Sequence, residues 1–371
     1  MNVISLVALV FAVIGAIDYI LNNRFGIGVQ FQKGFMLLGT MALSMIGMIV
    51  LSPLLAELLS PIFRFVSDTL HLDPSILPAS LFANDMGGAP LSVAVATDDR
   101  LGLFNGLVVS SMMGCTISFT IPFALGMVDK KHQRHLILGL LCGVVTIPIG
   151  AFAAGLICRL SLGLLLLDLL PLILFSAIIA VCLLLFPEKC IRVFRWFGVF
   201  ITALITAGLL LGMINFVFKK EVIAGLATIE SGALVCLNAA VALAGMFPLI
   251  YILSRLLRKP LNALGKRVGI NEESTLGMVS ALASSATTFG MMDQMDKKGV
   301  MLNAAFSVSG AFVFGGHLAF TMAFDGSYVL PVVAGKLIAG VLALVLANLL
   351  YGILCRKEQA AVPQKEESDA L

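Results

Sequence analysis

Inside an otherwise apolar run, the stretch SLFANDMGGAPLS (Ser80 to Ser92) sets a carboxylate, Asp85, between an amide, Asn84, and a glycine pair, Gly87-Gly88. A carboxylate buried among apolar side chains needs a cation, a cavity or a helix end to face. It could pair a cationic solute, with Asn84 bonding a neutral hydroxyl, or it could cap a half-helix, as Asp commonly does. The two roles are compatible at a broken helix. Gly87 and Gly88 allow a tight turn and a close approach of backbone to a neighbour. A second polar stretch, STLGMVSALASSATTFGMMDQM, carries Ser284, Ser285, Thr287 and Thr288. Its hydroxyls can donate and accept, or bond back to the preceding helical turn. Near its end Asp293 lies closer to the apolar run than Asp296, which reads as a loop acid beside Lys297 and Lys298. His317, in FGGHLAF, is a candidate proton relay or solute contact, and equally a satisfied interior histidine. Asn105 and Asn303 stand at matching places in two apolar runs, where interhelical amide bonds are the plainer role. Asp18 calls for a structural partner. Asn84, Asp85, Gly87, Gly88, Asn105, Ser284, Ser285, Thr287, Asp293, Asn303 and His317 are the candidate binding set; none forms a metal or catalytic pattern. HExxH, Walker, GxSxG and CxxC spacings are all missing, so neither an enzyme nor a cofactor is implied.

The elements that must hold these residues are membrane helices. The chain has 371 residues, of which 60% are hydrophobic and 12% charged, against about 25% charged in soluble domains. A surface so poor in charge suits the lipid bilayer as solvent. The net charge of +3 is small and its basic residues fall in short loops, which excludes a nucleic-acid partner. Runs of about 20 apolar residues mark nine full spans at 3–21, 34–51, 101–127, 136–158, 163–186, 196–218, 232–254, 299–323 and 328–353. No basic segment precedes the first, which therefore reads as a span and not as a secretory signal. Segments 75–97 and 274–296 are long enough to cross but are interrupted. The first, with the residue before it, holds Pro74, Pro78, Asn84, Asp85, Gly87, Gly88 and Pro90. Both read as broken or re-entrant helices, which the membrane interior tolerates only where they line a cavity or are buried in protein.

The two halves also match in the order of their loops, breakers and polar positions. The offset that aligns Asn105 with Asn303 also aligns Gly47 with Gly245 and Asp73 with Asn271. Basic residues gather in 128–135, 187–195, 255–267 and the tail, and such loops favour the cytoplasm. All four share one side only if 274–296 re-enters. The expected fold is therefore an all-α polytopic membrane protein built from two inverted five-element repeats, each with a broken or re-entrant helix. The first repeat occupies 1–160, a linking span 161–190, the second repeat 191–355, and a polar cytoplasmic tail without regular structure 356–371. Eleven crossings with parallel repeats is the alternative. Inverted repeats with discontinuous elements are a plan of secondary transporters.

Several motifs together carry a family resemblance: GFMLLGTMALSMIGM, ANDMGG, SSMMG…TIPFALG, LCGVVTIPIG, FGMMDQMDKKG, GGHLAF and VVAGKLIAG. Over residues 3–355 the chain resembles the bacterial ethanolamine permease (EutH) family. The resemblance implies a multi-pass inner-membrane protein, C-terminus inside, that moves ethanolamine, a small primary amine. It maps the family's DMGG element onto Asp85 to Gly88, and its second element onto Phe289 to Met292 and Gln294 to Asp296. Two positions depart from the family pattern: Ser284-Ser285 replace an asparagine pair, and Gly316 replaces an acid before His317. An ion-coupled symporter of another small polar solute, or a sensor or assembly subunit without transport, stays open at this level, as does homo-oligomerisation.

Overall fold

The computed structural model describes residues 3–368, and every regular element among them is helical. Helices α1 (Val3–Ile20) and α2 (Ile27–Met36) are joined by a turn that Asp18 closes. Its carboxylate accepts the N–H groups of Phe25, Ile27 and Gly28 at 2.9, 2.8 and 2.8 Å, which gives Asp18 its partner: the N-terminus of α2. Next come α3 (Leu38–Leu58) and α4 (Ser60–Leu70), so most of 52–73, which reads in the sequence as an acidic loop with Glu57, Asp68 and Asp73 against Arg64, is helical. The first broken segment is α5 (Ile76–Leu81), a single turn at Asn84–Met86 and α6 (Gly88–Val95). Then α7 (Asp99–Phe104) widens into a π-helical stretch through Asn105–Gly114 and Thr116–Thr120 before α8 (Ile121–Met127). Helices α9 (Gln133–Ile157), α10 (Leu162–Leu185), α11 (Pro187–Phe218) and α12 (Ile229–Val268) are long and continuous. The second broken segment is α13 (Glu272–Ala283) and α14 (Ser285–Gly290), followed by α15 (Lys297–Ser309), α16 (Gly316–Asp325) and α17 (Val329–Ser368).

Seven helical stretches among the described residues are long and apolar enough to cross a membrane, by length and composition. Their outward faces carry Leu166, Leu170, Leu174, Trp196 and Phe200, each at least half exposed. The interior holds fully buried Asn84, Ser110, Ser111, Thr116 and Asn303. Apolar outside and polar inside is the arrangement a lipid solvent favours.

Two expectations need correction. The run 299–323 is not one span. Its helix stops at Ser309, the chain turns through 310–315 with Phe312 at φ +58°, and α16 begins afresh. The backbone donors freed there are satisfied by the second broken segment: Phe312 N–H donates to the Ala281 carbonyl (3.0 Å) and Phe314 N–H to that of Leu282 (2.9 Å). The polar tail continues α17 as helix to Ser368; 369–371 lie outside the described residues.

The ends of each broken segment meet. Asp73, before α5, accepts from Ser75 N–H (2.9 Å) and from Thr97 N–H, Thr97 hydroxyl and Asp98 N–H (2.9, 2.7 and 3.0 Å), all beyond α6. Asp296, beyond α14, accepts from Asn271 N–H (2.9 Å) and Ser274 hydroxyl (2.8 Å), both at the start of α13. Asp296 also caps α15 through Gly299 N–H (3.1 Å). A loop acid thus turns out to be a tie at the base of the segment.

Small residues let the long helices touch. Gly139 and Gly143 face α15, where added β-carbons would lie 2.3 Å from the Met301 carbonyl oxygen and 2.4 Å from Val308. At Gly47 the contact is backbone on backbone: a β-carbon would sit 2.0 Å from the Ile205 carbonyl oxygen of α11. Gly47→Leu is therefore expected to force α3 and α11 apart, at about 3 kcal/mol or more, and to lower the thermal midpoint in detergent. Gly39→Leu, with nothing within 4 Å of the new carbon, should leave it unchanged. Equal midpoints for the two variants would refute the close crossing.

Candidate functional site

The Asp85 turn is built by backbone that leaves helical geometry twice. Phe82 and Ala83 are extended (ψ 137° and 151°), and Gly87 takes φ +104°, a region that disfavours any side chain. There is also no room for one. A β-carbon on Gly87 would meet Met48 of α3 at 2.3 Å, and one on Gly88 would meet the Ser110 hydroxyl of the π-helical stretch at 1.8 Å. The Phe82 carbonyl accepts from that hydroxyl at 2.5 Å. The glycine pair therefore presses the turn against two neighbours and leaves Asp85 to face the third, the start of α16.

There the carboxylate meets positive potential. Its Oδ2 lies 3.5 Å from where a side chain on Gly316 would begin, and its Oδ1 is 4.0 Å from His317 Nε2. The unsatisfied N–H groups of a helix's first turn favour an anion. The Asp85 side chain is 26% exposed and the His317 side chain 3%. Water can therefore reach part of the carboxylate but hardly the imidazole behind it.

Behind His317 stands a lysine. Lys336 of α17 is 1% exposed. Its Nζ donates to the Ser111 carbonyl at 2.6 Å and lies 3.2 Å from His317 Nδ1. A protonated lysine has no acceptor, so Nδ1 must accept and the imidazole proton sits on Nε2, facing Asp85. The result is a row from accessible to buried: Asp85, His317, Lys336. The Ser111 carbonyl comes from the π-helical stretch, a rare geometry that recurs at functional sites.

The other candidates divide. Asn84 is fully buried, and its amide nitrogen is 3.4 Å from the His317 carbonyl while its oxygen has no partner. Ser284 is the extended break of the second segment (φ −162°, ψ 123°), and buried Ser285 has an unpartnered hydroxyl. The turn 310–315 ties these two regions together, because its start is bonded to α13 and its end carries Gly316 beside Asp85. Thr288 bonds back to the Gly277 carbonyl at 2.9 Å, whereas Thr287 is exposed. Three candidates sit elsewhere. Asn105 donates to Ser75 (2.9 Å) and to Asp168 of α10 (3.0 Å) at the base of the first broken segment. Asn303 donates to the Ser274 and Gly299 carbonyls (2.8 and 2.9 Å) at the base of the second. Both amides close a segment base. Asp293 is 56% exposed, 3.9 Å from the equally exposed Lys131, a pairing of little energetic weight.

A file of aromatic rings runs from α14 to His317. Successive ring centroids are 6.2 Å (Phe289–Phe123), 5.0 Å (Phe123–Phe119), 5.7 Å (Phe119–Phe312) and 5.0 Å (Phe312–His317). Ring faces attract cations. A groove of about 820 Å³, lined by Met86, Phe119, Phe123 and residues of α11, opens beside this file.

The family model described as "Ethanolamine utilisation protein, EutH" matches residues 1–350. The chain belongs to the EutH family. It is 39% identical to the probable ethanolamine permease EutH of Listeria monocytogenes, over 97% of this chain and 96% of that one. The corresponding protein of Escherichia coli is 36% identical over 100% and 98%. An uncharacterised protein of Bacillus subtilis, YxeR, is 36% identical over 94% of each chain. No solved structure matches. Membership and these helices make the chain a multi-pass membrane protein. Within the EutH framework Gly316 has a physical meaning: any side chain there would enter van der Waals contact with Asp85, so an acid at this position would set a second carboxylate beside the first.

Sequence reasoning passed over Lys336, Asp168 and the break at 310–315. The first two had a signal. Each is the one charged residue within its span, 328–353 and 163–186, and an ionisable residue inside a span is by default a functional candidate.

Proposed function

We propose that this EutH-family chain is a permease for ethanolamine, or for a closely related small amino alcohol, working by alternating access at the Asp85 site. The observation that carries the reading is one partly accessible carboxylate, in an interior shielded from water, set against a helix N-terminus. Such a carboxylate pairs a primary ammonium. The unpartnered oxygen of Asn84 and the hydroxyl of Ser285 are buried as the helices stand and, with Ser284 at the break, offer bonds to the alcohol once the site opens. Phe312 and Phe119 supply ring faces for the cation in transit. The probable ethanolamine permeases among the relatives support the substrate.

In this reading segments 75–97 and 274–296 are re-entrant hairpins, since each is tied end to end by an aspartate. They enter from opposite faces. Units 1–160 and 191–355 are then inverted repeats joined by the span 161–190, and the basic loops put the C-terminus in the cytoplasm. Alternating access consists of one hairpin and then the other yielding to its own side.

A ligand of about four heavy atoms gains at most roughly −6 kcal/mol, so Kd is no tighter than some tens of micromolar. The test is counterflow of labelled ethanolamine in proteoliposomes loaded with unlabelled ethanolamine, with a panel of amines as competitors. Transient accumulation above that of protein-free vesicles is expected, competed by small amino alcohols. A flat trace would refute transport. Competition by other solutes but not by ethanolamine would reassign the substrate.

A further inference from the structure

Lys336 presents an electrostatic problem that the permease reading alone leaves standing. It is buried, it is the one charged residue of its span, and its two contacts are a carbonyl and an imidazole nitrogen, neither of them an anion. The nearest balancing charge is Asp85, across the His317 ring. The titratable groups around Lys336 are Asp85 from the turn, His317 from α16 and the Cys115 thiol from the π-helical stretch. Helix α9 meets α17 beside it through Gly150 and Ala154, and α15 meets α17 through Phe306, with no charge from either. With Asp85 ionised and Lys336 protonated the interior is neutral. An ammonium that takes Asp85 as its partner would leave Lys336 as an uncompensated cation in a low dielectric.

We propose that an ammonium binding at Asp85 expels one proton from Lys336, so that the chain exchanges one amine cation for one proton across the membrane. This rests on the permease reading above and adds the coupling to it. The geometry supplies the proton's route. The N–H bond at Lys336 Nζ breaks as one forms at His317 Nδ1. The N–H bond at Nε2 breaks in turn as an O–H bond forms on a solvent water on the Asp85 side, where the carboxylate is partly exposed. The neutral lysine then accepts from Nδ1–H, which holds the imidazole in its new tautomer until the amine departs and the sequence reverses. Loaded and empty sites carry the same net charge. Transport is therefore electroneutral and equals, in net terms, the passage of uncharged amine.

The test uses the full chain in proteoliposomes, labelled ethanolamine and initial rates corrected for protein-free vesicles. An inside-negative potassium diffusion potential is imposed at equal pH on both sides. Wild-type uptake is expected to change less than twofold, with one proton appearing outside for each amine taken up. Lys336→Met has no proton to exchange, returns empty with the bare Asp85 charge, and should be accelerated several-fold by the same potential. Wild-type uptake accelerated several-fold, without proton release, would overturn the exchange while leaving the permease intact. Absence of uptake by the wild type at any potential would overturn the permease reading, and the exchange with it. The wild-type arms decide the matter even if Lys336→Met fails to insert.

Discussion

Asp85→Asn is expected to reduce ethanolamine uptake at least a hundredfold while the protein still inserts. Two effects add. The amide loses a charge-assisted hydrogen bond to the ammonium, about 1.5–3 kcal/mol. It also leaves Lys336 without its counter-charge, so that the lysine rests neutral and holds no proton to exchange for the amine. Together these exceed the roughly 2.7 kcal/mol that a hundredfold change requires. Folding should suffer little, because a neutral Lys336 needs no counter-charge and the close neighbours of Asp85 are a helix N-terminus and a ring 4.0 Å away, both of which an amide oxygen tolerates. The measurement is labelled uptake in mild acid, where the neutral amine that leaks through lipid is scarce, normalised to inserted protein. Uptake at the wild-type rate would remove Asp85 from the mechanism.

Asp73→Ala should act on the protein as a whole. One carboxylate oxygen accepts from Ser75, and the other takes two amides and a hydroxyl from Thr97 and Asp98. The residue is 7% exposed, so the orphaned donors find little water. At about 1–3 kcal/mol for each group left unsatisfied, the loss is on the order of 4 kcal/mol, comparable to the whole stability margin of many proteins. The thermal midpoint in detergent should fall by many degrees, and uptake should fall in step with folded protein while the order of competing amines stays fixed. Asp73→Asn should recover only part of this, since its NH₂ faces donors. A wild-type midpoint in the alanine variant would show that the segment base is held by something else.

The broken segments were legible in the sequence because their causes are local. In the first segment Pro74 stands just ahead of α5, Pro78 and Pro90 sit in the first turns of α5 and α6, and the glycine pair weakens helix between them. The break at 310–315 was not, because Gly-Ala-Phe-Val-Phe-Gly is as apolar as a helix would be, and what stops the helix is the bonding of Phe312 and Phe314 to α13. The π-helical stretch was equally invisible, since NGLVVSSMMG holds no residue that forbids an ordinary α-helix. Lys336 could be seen as an oddity in its span. That it points at His317 is a matter of tertiary contact, which residues 19 positions apart do not announce. Asn105 and Asn303 show the converse. Their matching places in two apolar runs were readable in the sequence, but the same pattern serves a binding site or a segment base, and the hydrogen bonds place them at the bases.

The short pairing of Phe312 and Phe314 with Ala281 and Leu282 has a mechanical meaning. It splices the tip of α13 to the foot of α16, which makes the second broken segment a lever whose far arm ends at His317. Any tilt of that segment must slide the imidazole along the carboxylate of Asp85, stretching or closing a gap that stands at 4.0 Å. In the proposed exchange, gate position and proton contact would thus be geared to one another by two backbone hydrogen bonds.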